Sequence, residues 1–233
     1  MQLVYDTYTG EDFNRYEMTL PQYHNNDNIR HSLSSLREHE IINKLVYDIL
    51  PDKIDRDNFI KMSKLVINGN IGTDMYIFYG NGSNGKSTLL SLLSSVLDDE
   101  HSYAMDELTL NKSLRELNPG YIQHLNDKRL VVSEITNIAS IFNSVLLNNK
   151  PLGIKRLFRE PAFVRLNIIY VCVIEKFNDI LIARGEKIIN FKTTFRNNAI
   201  NKNEKILDQQ FNSEYFIKKH SEAFLHYVLH YKY

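Results

Sequence analysis

The sequence predicts an α/β domain with a mostly parallel sheet and flanking helices, and three stretches predict it. Met75-Tyr76-Ile77-Phe78-Tyr79 is apolar, aromatic and β-branched. It runs into a glycine-rich loop, and the following residues, Leu89 through Leu97, are apolar at helical spacing. Asp127-Lys128-Arg129-Leu130-Val131-Val132-Ser133-Glu134 is a second short apolar strand, with an acid at its carboxyl end. Asn167-Ile168-Ile169-Tyr170-Val171-Cys172-Val173-Ile174 is the most strand-like run in the chain.

The bulk numbers agree with that class. At 233 residues and 43% hydrophobic, the chain can bury one good core, which favours one α/β domain with flanking helices over two full domains. Lys+Arg 28 balances Asp+Glu 28, so any nucleic-acid site must be a local feature. A single cysteine excludes an internal disulfide framework and fits a reducing, cytoplasmic compartment. No apolar run reaches membrane-spanning length, and the start Met-Gln-Leu-Val-Tyr-Asp does not resemble a signal peptide. With 5 Pro and 9 Gly, long flexible linkers are not expected.

In chain order, residues 1–30 are polar and rich in Tyr and Asn, and read as a strand-and-loop extension. Residues 32–50 carry Leu33, Leu36, Ile41, Ile42, Leu45, Val46 and Leu50 at helical spacing, and Pro51 ends that helix. A second short helix is expected over 57–66, then a turn through Gly69 and Gly72. Residues 105–117 read as mixed loop and helix, with Asn118-Pro119-Gly120 as a break. A helix is expected over 136–148, a basic turn-rich stretch over 149–165, a short strand over 187–191, and an aromatic helical segment over 204–233. The expected division is an N-terminal extension with a helical collar-like segment (1–66), a core (67–200) and a C-terminal helical segment (201–233).

The glycine loop carries the chemistry. Gly80-Asn81-Gly82-Ser83-Asn84-Gly85-Lys86-Ser87-Thr88 fits G-x-x-x-x-G-K-[ST], the phosphate-binding pattern. Glycines let backbone N–H groups converge on phosphate oxygens, and the helix beginning near Lys86 points its positive dipole end at them. Lys86 is expected on the β- and γ-phosphates and the Ser87 hydroxyl on Mg²⁺. Glu134 is a second anchor. Alone it reads as a surface glutamate at a strand end; beside the loop it is a candidate to polarise water or hold the cation. Its predecessor is Ser133, not a second acid, so Ser87, phosphates and water are expected to contribute to the metal site.

Two further stretches are open to more than one reading. Lys150-Pro151-Leu152-Gly153-Ile154-Lys155-Arg156-Leu157-Phe158-Arg159 fits a segment tracking a phosphate backbone, with Phe158 stacking on a base, and fits a solvated basic loop equally well. Arg184, just before the strand at 187–191, has the place of an arginine that completes a neighbour's site. On spacing alone it is an ordinary surface arginine.

Taken in order, these pieces resemble superfamily 3 helicases, and more narrowly the NTPase part of viral and phage primase–helicases, including those of poxviruses and other large DNA viruses. The likeness rests first on G-N-G-S-N-G-K-S-T. Asn68-Gly69-Asn70-Ile71-Gly72, Lys128 to Glu134, Lys155-Arg156-Leu157-Phe158, the region from Asp179 through Arg184 to Phe191 and Phe195, and Ser221 to Val228 add to it. It runs from about Asp6 onward and is strongest between Gly69 and Phe195. The resemblance implies an AAA+-type core in a hexameric ring, with ATP and Mg²⁺ between subunits and single-stranded DNA in a central channel. By motif match, Lys86 and Ser87 bind nucleotide and Mg²⁺, Glu134 activates water, Lys155 or Arg156 approaches DNA, and Arg184 acts in trans. A primase domain or other replication proteins are the further partners it implies, with no membrane role.

The chain also departs from that pattern. The family places an Asn, usually soon followed by Pro, at the end of the strand that here ends Val173-Ile174-Glu175, and Asn178, displaced by a few positions, is the candidate substitute. Ala183 stands where a further arginine is usual. The competing class is therefore an assembly protein that keeps ATP as an interface ligand without hydrolysing it. An ABC-type ATPase would need an L-S-G-G-Q-like segment, and a small-molecule kinase an Arg-rich lid after a nucleoside pocket; neither pattern is found.

Overall fold

Side-chain alternation along the strands sorts the apolar residues into two cores, one on each face of a central sheet. The computed structural model describes residues 29–69, 74–113, 116–136, 146, 151–154, 162–175 and 187–233. Residues 35–233 form one compact unit and residues 1–34 another. Among the described residues, five strands build the sheet: β1 (Asp74–Tyr79), β2 (Ser102–Ala104), β3 (Leu130–Glu134), and two that follow the hairpin described below, β6 (Ile169–Ile174) and β7 (Lys187–Asn190). Their order is β2-β3-β6-β1-β7, and every neighbouring pair is parallel.

Strands covered on both faces must be apolar at consecutive positions, which is what β1 and β6 show. Tyr76, Phe78, Leu130, Ile169, Val171 and Ile189 point to one core. Their alternates Ile77, Val131, Tyr170, Cys172 and Ile174 point to the other. The first core is closed by four helices: α1 (Ile29–Ile49), α2 (Lys53–Asn68), α3 (Lys86–His101) and, at the C-terminal end, α6 (Glu214–His230). Buried Ile42, Leu45, Val46 and Ile49 mark one stripe of α1 at the i, i+3, i+4, i+7 spacing of an amphipathic helix. The second core is closed by two shorter helices, α4 (Glu107–Leu110) and α5 (Pro119–Asn126).

Polar ties join the helical layer to the chain's far end. Arg56 of α2 is buried and donates to the carbonyls of Leu50 at 2.7 Å and Pro51 at 3.1 Å, and to the Tyr231 hydroxyl at 3.2 Å. Tyr231 in turn donates to Asp57 at 2.7 Å. A guanidinium has enough donors to satisfy all three partners in one plane, so the turn at Pro51 and the residue after α6 are held by one side chain.

Several elements differ from the sequence expectation, each for a local reason. Helix α2 begins at Lys53 instead of 57, because the Asp52 side chain accepts the Ile54 N–H at 2.9 Å and starts the helix directly after Pro51. Asn118-Pro119-Gly120 starts α5 and does not break the chain: Asn118 accepts the Gly120 N–H at 2.8 Å, and Pro119 needs no N–H in the first turn. The stretch 149–165 contains an antiparallel pair, β4 (Leu152–Ile154) and β5 (Ala162–Val164). The final segment is not helical throughout. A strand β9 (Glu204–Ile206) pairs in parallel with β8 (Thr194–Arg196), a 3-10 turn covers Gln209–Asn212, and α6 starts where Ser213 accepts the Phe216 N–H at 3.1 Å. The expected extension over 1–28 and the bulk of the helix expected over 136–148 lie outside the described residues. Among the described residues, no helix is long and apolar enough to cross a membrane.

Candidate functional site

Parallel pairing brings the carboxyl ends of β1, β3 and β6 to one edge, and their register sets them level. Tyr79 lies opposite Ile174, and Val173 opposite Glu134. The next residues out are Gly80, Glu175 and Ile135, so the glycine loop, Glu134 and Glu175 share one rim. In open parallel sheets this is the edge where ligands bind.

The loop from Gly80 to Gly85 joins β1 to α3, which begins at Lys86. Two of its glycines are required by their surroundings. Gly85 has φ of 85°, and a Cβ there would stand 2.6 Å from Cγ1 of Ile49 in α1. A Cβ on Gly80 would stand 2.5 Å from the Phe191 carbonyl oxygen. The loop is held from the side by the segment after β7. Asn84 is buried and donates through Nδ2 to the Phe191 carbonyl at 3.4 Å, while the Phe195 N–H donates to the Ser83 carbonyl at 2.7 Å. The Phe191 N–H donates to the Tyr79 carbonyl at 2.8 Å.

Lys86 is 6% exposed, and its ammonium donates to the carbonyls of Gly80 and Asn81 in its own loop. Burial lowers its pKa from the usual lysine value, and the carboxylates of Glu175 and then Glu134 oppose that shift. Ser87 is exposed at the first turn of α3. Thr88 is buried, and its hydroxyl donates to the Asn212 side-chain oxygen at the end of the 3-10 turn. Beyond β3, Thr136 donates its N–H at 3.0 Å and its hydroxyl at 2.6 Å to one carboxylate oxygen of Glu107, which fastens the chain just after Glu134.

Together these groups line a cleft of about 660 Å³, with Gly82 to Thr88 on one side, Glu134, Thr136 and Glu175 on the other, and Asn212 at the margin. A smaller cavity of about 150 Å³ adjoins it, lined by Ile49, Phe195, Leu207, Asp208 and Phe211 and sharing Ser83, Gly85, Thr88 and Asn212. Chemically, the cleft offers a helix N-terminus, a lysine and backbone amides to an anion. A hydroxyl at Ser87 and a carboxylate at Glu134 in the same cleft are the hard oxygen donors that Mg²⁺ takes, so the residues present fit that ion.

The site residues expected from the sequence divide cleanly. Gly82, Ser83, Asn84, Gly85, Lys86, Ser87, Thr88 and Glu134 line one cleft. Gly80 and Asn81 contribute the carbonyls on Lys86. Arg184, Lys155, Arg156 and Phe158 lie outside the described residues, as does Asn178. Sequence reasoning missed Asn212 and Thr136, which sit in no recognisable pattern, and it named Phe191 and Phe195 only for the resemblance and not for the backbone groups that brace the loop. Glu175 had a signal, since it directly follows the most apolar strand, but it registered only as the place of a missing Asn.

The fold and the rim together define a parallel α/β domain with a glycine loop and helix N-terminus at the ligand edge. No family model matches the chain, and no curated protein matches it. Among solved structures, it is similar to the apo A form of the NrS-1 C-terminal region, with a TM-score of 0.60 and 17% identity over 83% of this chain and 45% of that one. A second apo structure of that region gives 0.59 and 18%, over 83% and 46%. The X-ray structure of JCV helicase matches at 0.45 and 18%, over 83% and 53%. The chain thus spans about half the length of the solved chains it matches. The likeness to the NrS-1 region establishes the fold, a mixed α/β domain with a mostly parallel sheet flanked by helices.

Proposed function

We propose that the cleft binds ATP with Mg²⁺ and hydrolyses it, and that the chain is a helicase or translocase module of the superfamily 3 type acting in DNA replication. The observation that carries this reading is the convergence on one rim of the Lys86 loop, the Ser87 hydroxyl and the Glu134 carboxylate, drawn from two strands and one helix. The loop amides and the start of α3 bind the phosphates, and Lys86 exchanges its two loop carbonyls for β- and γ-phosphate oxygens. Ser87 and Glu134 hold the cation, which when bound neutralises charge on the phosphates. Glu134, exposed at its strand end, accepts a proton from the attacking water. The adjoining cavity behind Gly85, walled by Ile49, Phe195 and Phe211, has the apolar walls that a planar base needs.

In the same reading residues 1–66 form a collar-like segment, 67–200 the ATPase core of AAA+ type and 201–233 a closing segment. Copies assemble into a ring, of six by the family resemblance. Lys155, Arg156 and Phe158 meet single-stranded DNA in the channel, and Arg184 reaches a neighbour's nucleotide.

The test is ATP turnover by the purified chain, with and without single-stranded DNA, beside Lys86→Ala. Turnover that is stimulated by DNA and lost in the variant supports the reading; equal turnover in the folded variant removes it. A non-hydrolysing assembly protein is the second reading, favoured by Glu175 standing where the resembled family has an Asn. Nucleotide-dependent assembly without any turnover would select it.

A further inference from the structure

The rim carries a charge that the phosphate-binding role does not ask for. Glu175 is exposed one residue beyond the end of β6, between the loop after β1 and Glu134 at the end of β3. It lines the cleft, and its Oε1 stands 3.8 Å from where a Cβ on Gly82 would be, directly across from the phosphate loop. Of the described residues around the cleft, Lys86 is the cation and Glu134 and Glu175 are the carboxylates. Counting the described lining side chains alone, the charge is net negative before any ligand enters, and the ligand proposed for the cleft is a polyanion. Like charges a few ångströms apart in a partly dry cleft repel strongly, and a divalent cation reverses the sign of that interaction.

We propose that Glu175 makes this site prefer the divalent-metal complex of a nucleoside triphosphate over the metal-free form. The inference rests on the nucleotide-site reading above and deepens it. Among the described lining side chains Glu134 alone would balance Lys86; Glu175 tips that balance. The carboxylate belongs to the residue directly after β6 and not to the loop, and the pairing of β6 with β1 brings that residue beside Gly80, the residue directly after Tyr79. Metal-free nucleotide meets two carboxylates there, whereas the metal complex meets them with its charge already partly neutralised.

The experiment is equilibrium binding of a fluorescent ATP analogue, read by anisotropy, in excess Mg²⁺ and in EDTA, so that no turnover enters the readout. Glu175→Gln is expected to tighten binding in EDTA by roughly tenfold, the effect of one partly screened charge, while changing binding in Mg²⁺ far less. Glu175→Asp should keep the wild-type metal dependence. Glu222→Gln, which removes the same charge from an exposed position on α6, should change neither. Unchanged binding of Glu175→Gln in EDTA, or an equal gain from Glu222→Gln, overturns the inference while leaving the nucleotide site standing. Absence of nucleotide binding by wild type in both conditions overturns the nucleotide-site reading and the inference together. Glu175 is exposed, so its substitutions remove no core packing, and a thermal melt confirms that the variants are folded.

Discussion

The two halves of the cleft are built on different terms. On the loop side, tertiary contacts already engage the parts proposed to meet phosphate. Lys86 is on two carbonyls, Asn84 is on the Phe191 carbonyl, the Ser83 carbonyl takes the Phe195 N–H, and Thr88 is on Asn212. On the opposite side, Glu134 stands exposed at the end of β3, placed by sheet register, and Glu175 stands exposed just beyond the end of β6. The first half holds a backbone shape that must exist before the ligand arrives, and it is set by packing. The second half presents charge, which must stay solvated until a cation or a water is there to meet it. The contrast teaches that binding and chemistry are separable here by mutation.

The largest expected effect follows from that separation. Glu134→Gln should lower ATP turnover by roughly a hundredfold to ten-thousandfold, the range for loss of a general base, while nucleotide binding persists. Turnover within a few-fold of wild type would assign the water to another group, with Glu175 the next to test. Lys86→Ala should weaken nucleotide binding by roughly a hundredfold without unfolding the domain, since charge-assisted bonds to phosphate are lost and the loop glycines remain. Titration calorimetry with and without the substitution measures it; unaltered affinity would mean that the lysine stays on its own loop.

Gly80→Ala probes shape instead of charge. Its new Cβ would press on the Phe191 carbonyl, a backbone atom, so denaturant unfolding should show a loss of about 1–3 kcal/mol together with weakened binding. A variant of unchanged stability would show the loop to be softer than its contacts imply. The smallest effect lies away from the cleft. His226 is exposed on α6, with its ring 4.3 Å from that of His39 and 4.2 Å from that of His230, and partial desolvation followed by those two neighbours lowers its pKa from 6.5. A lowered folded pKa means that the unfolded chain binds the proton better. The stability this group contributes is therefore whole above about pH 6.5 and is lost as pH falls through the folded value. Thermal melts from about pH 7.5 to about pH 5 should show a decline that His226→Gln reduces and added salt blunts. An identical decline in the variant would place the titration elsewhere.

Much of the site was legible in the chain because its parts are local. A glycine loop between an apolar strand and a helix needs only contiguous residues, and β1, β3, β6 and β7 were each visible as runs of β-branched and aromatic side chains. The three-residue strands β2, β8 and β9 were not, because so few residues leave no period to read. The start of α5 was misjudged because Asn-Pro-Gly signals a turn and a helix cap alike, and only the direction of the following chain separates the two.

By itself the sequence determined the α/β class, the glycine loop with Lys86 and Ser87, and the acid at the end of β3, since each depends on residue type and short-range spacing. Tertiary structure alone decided the strand order β2-β3-β6-β1-β7 and the level register of three strand ends. It also decided the placement of Phe191, Phe195 and Asn212 against the loop, and of Glu175 opposite it. Those facts rest on hydrogen bonds and packing between segments tens of residues apart, and a backbone amide or carbonyl that meets a partner at such a distance leaves no mark on the amino acid that carries it.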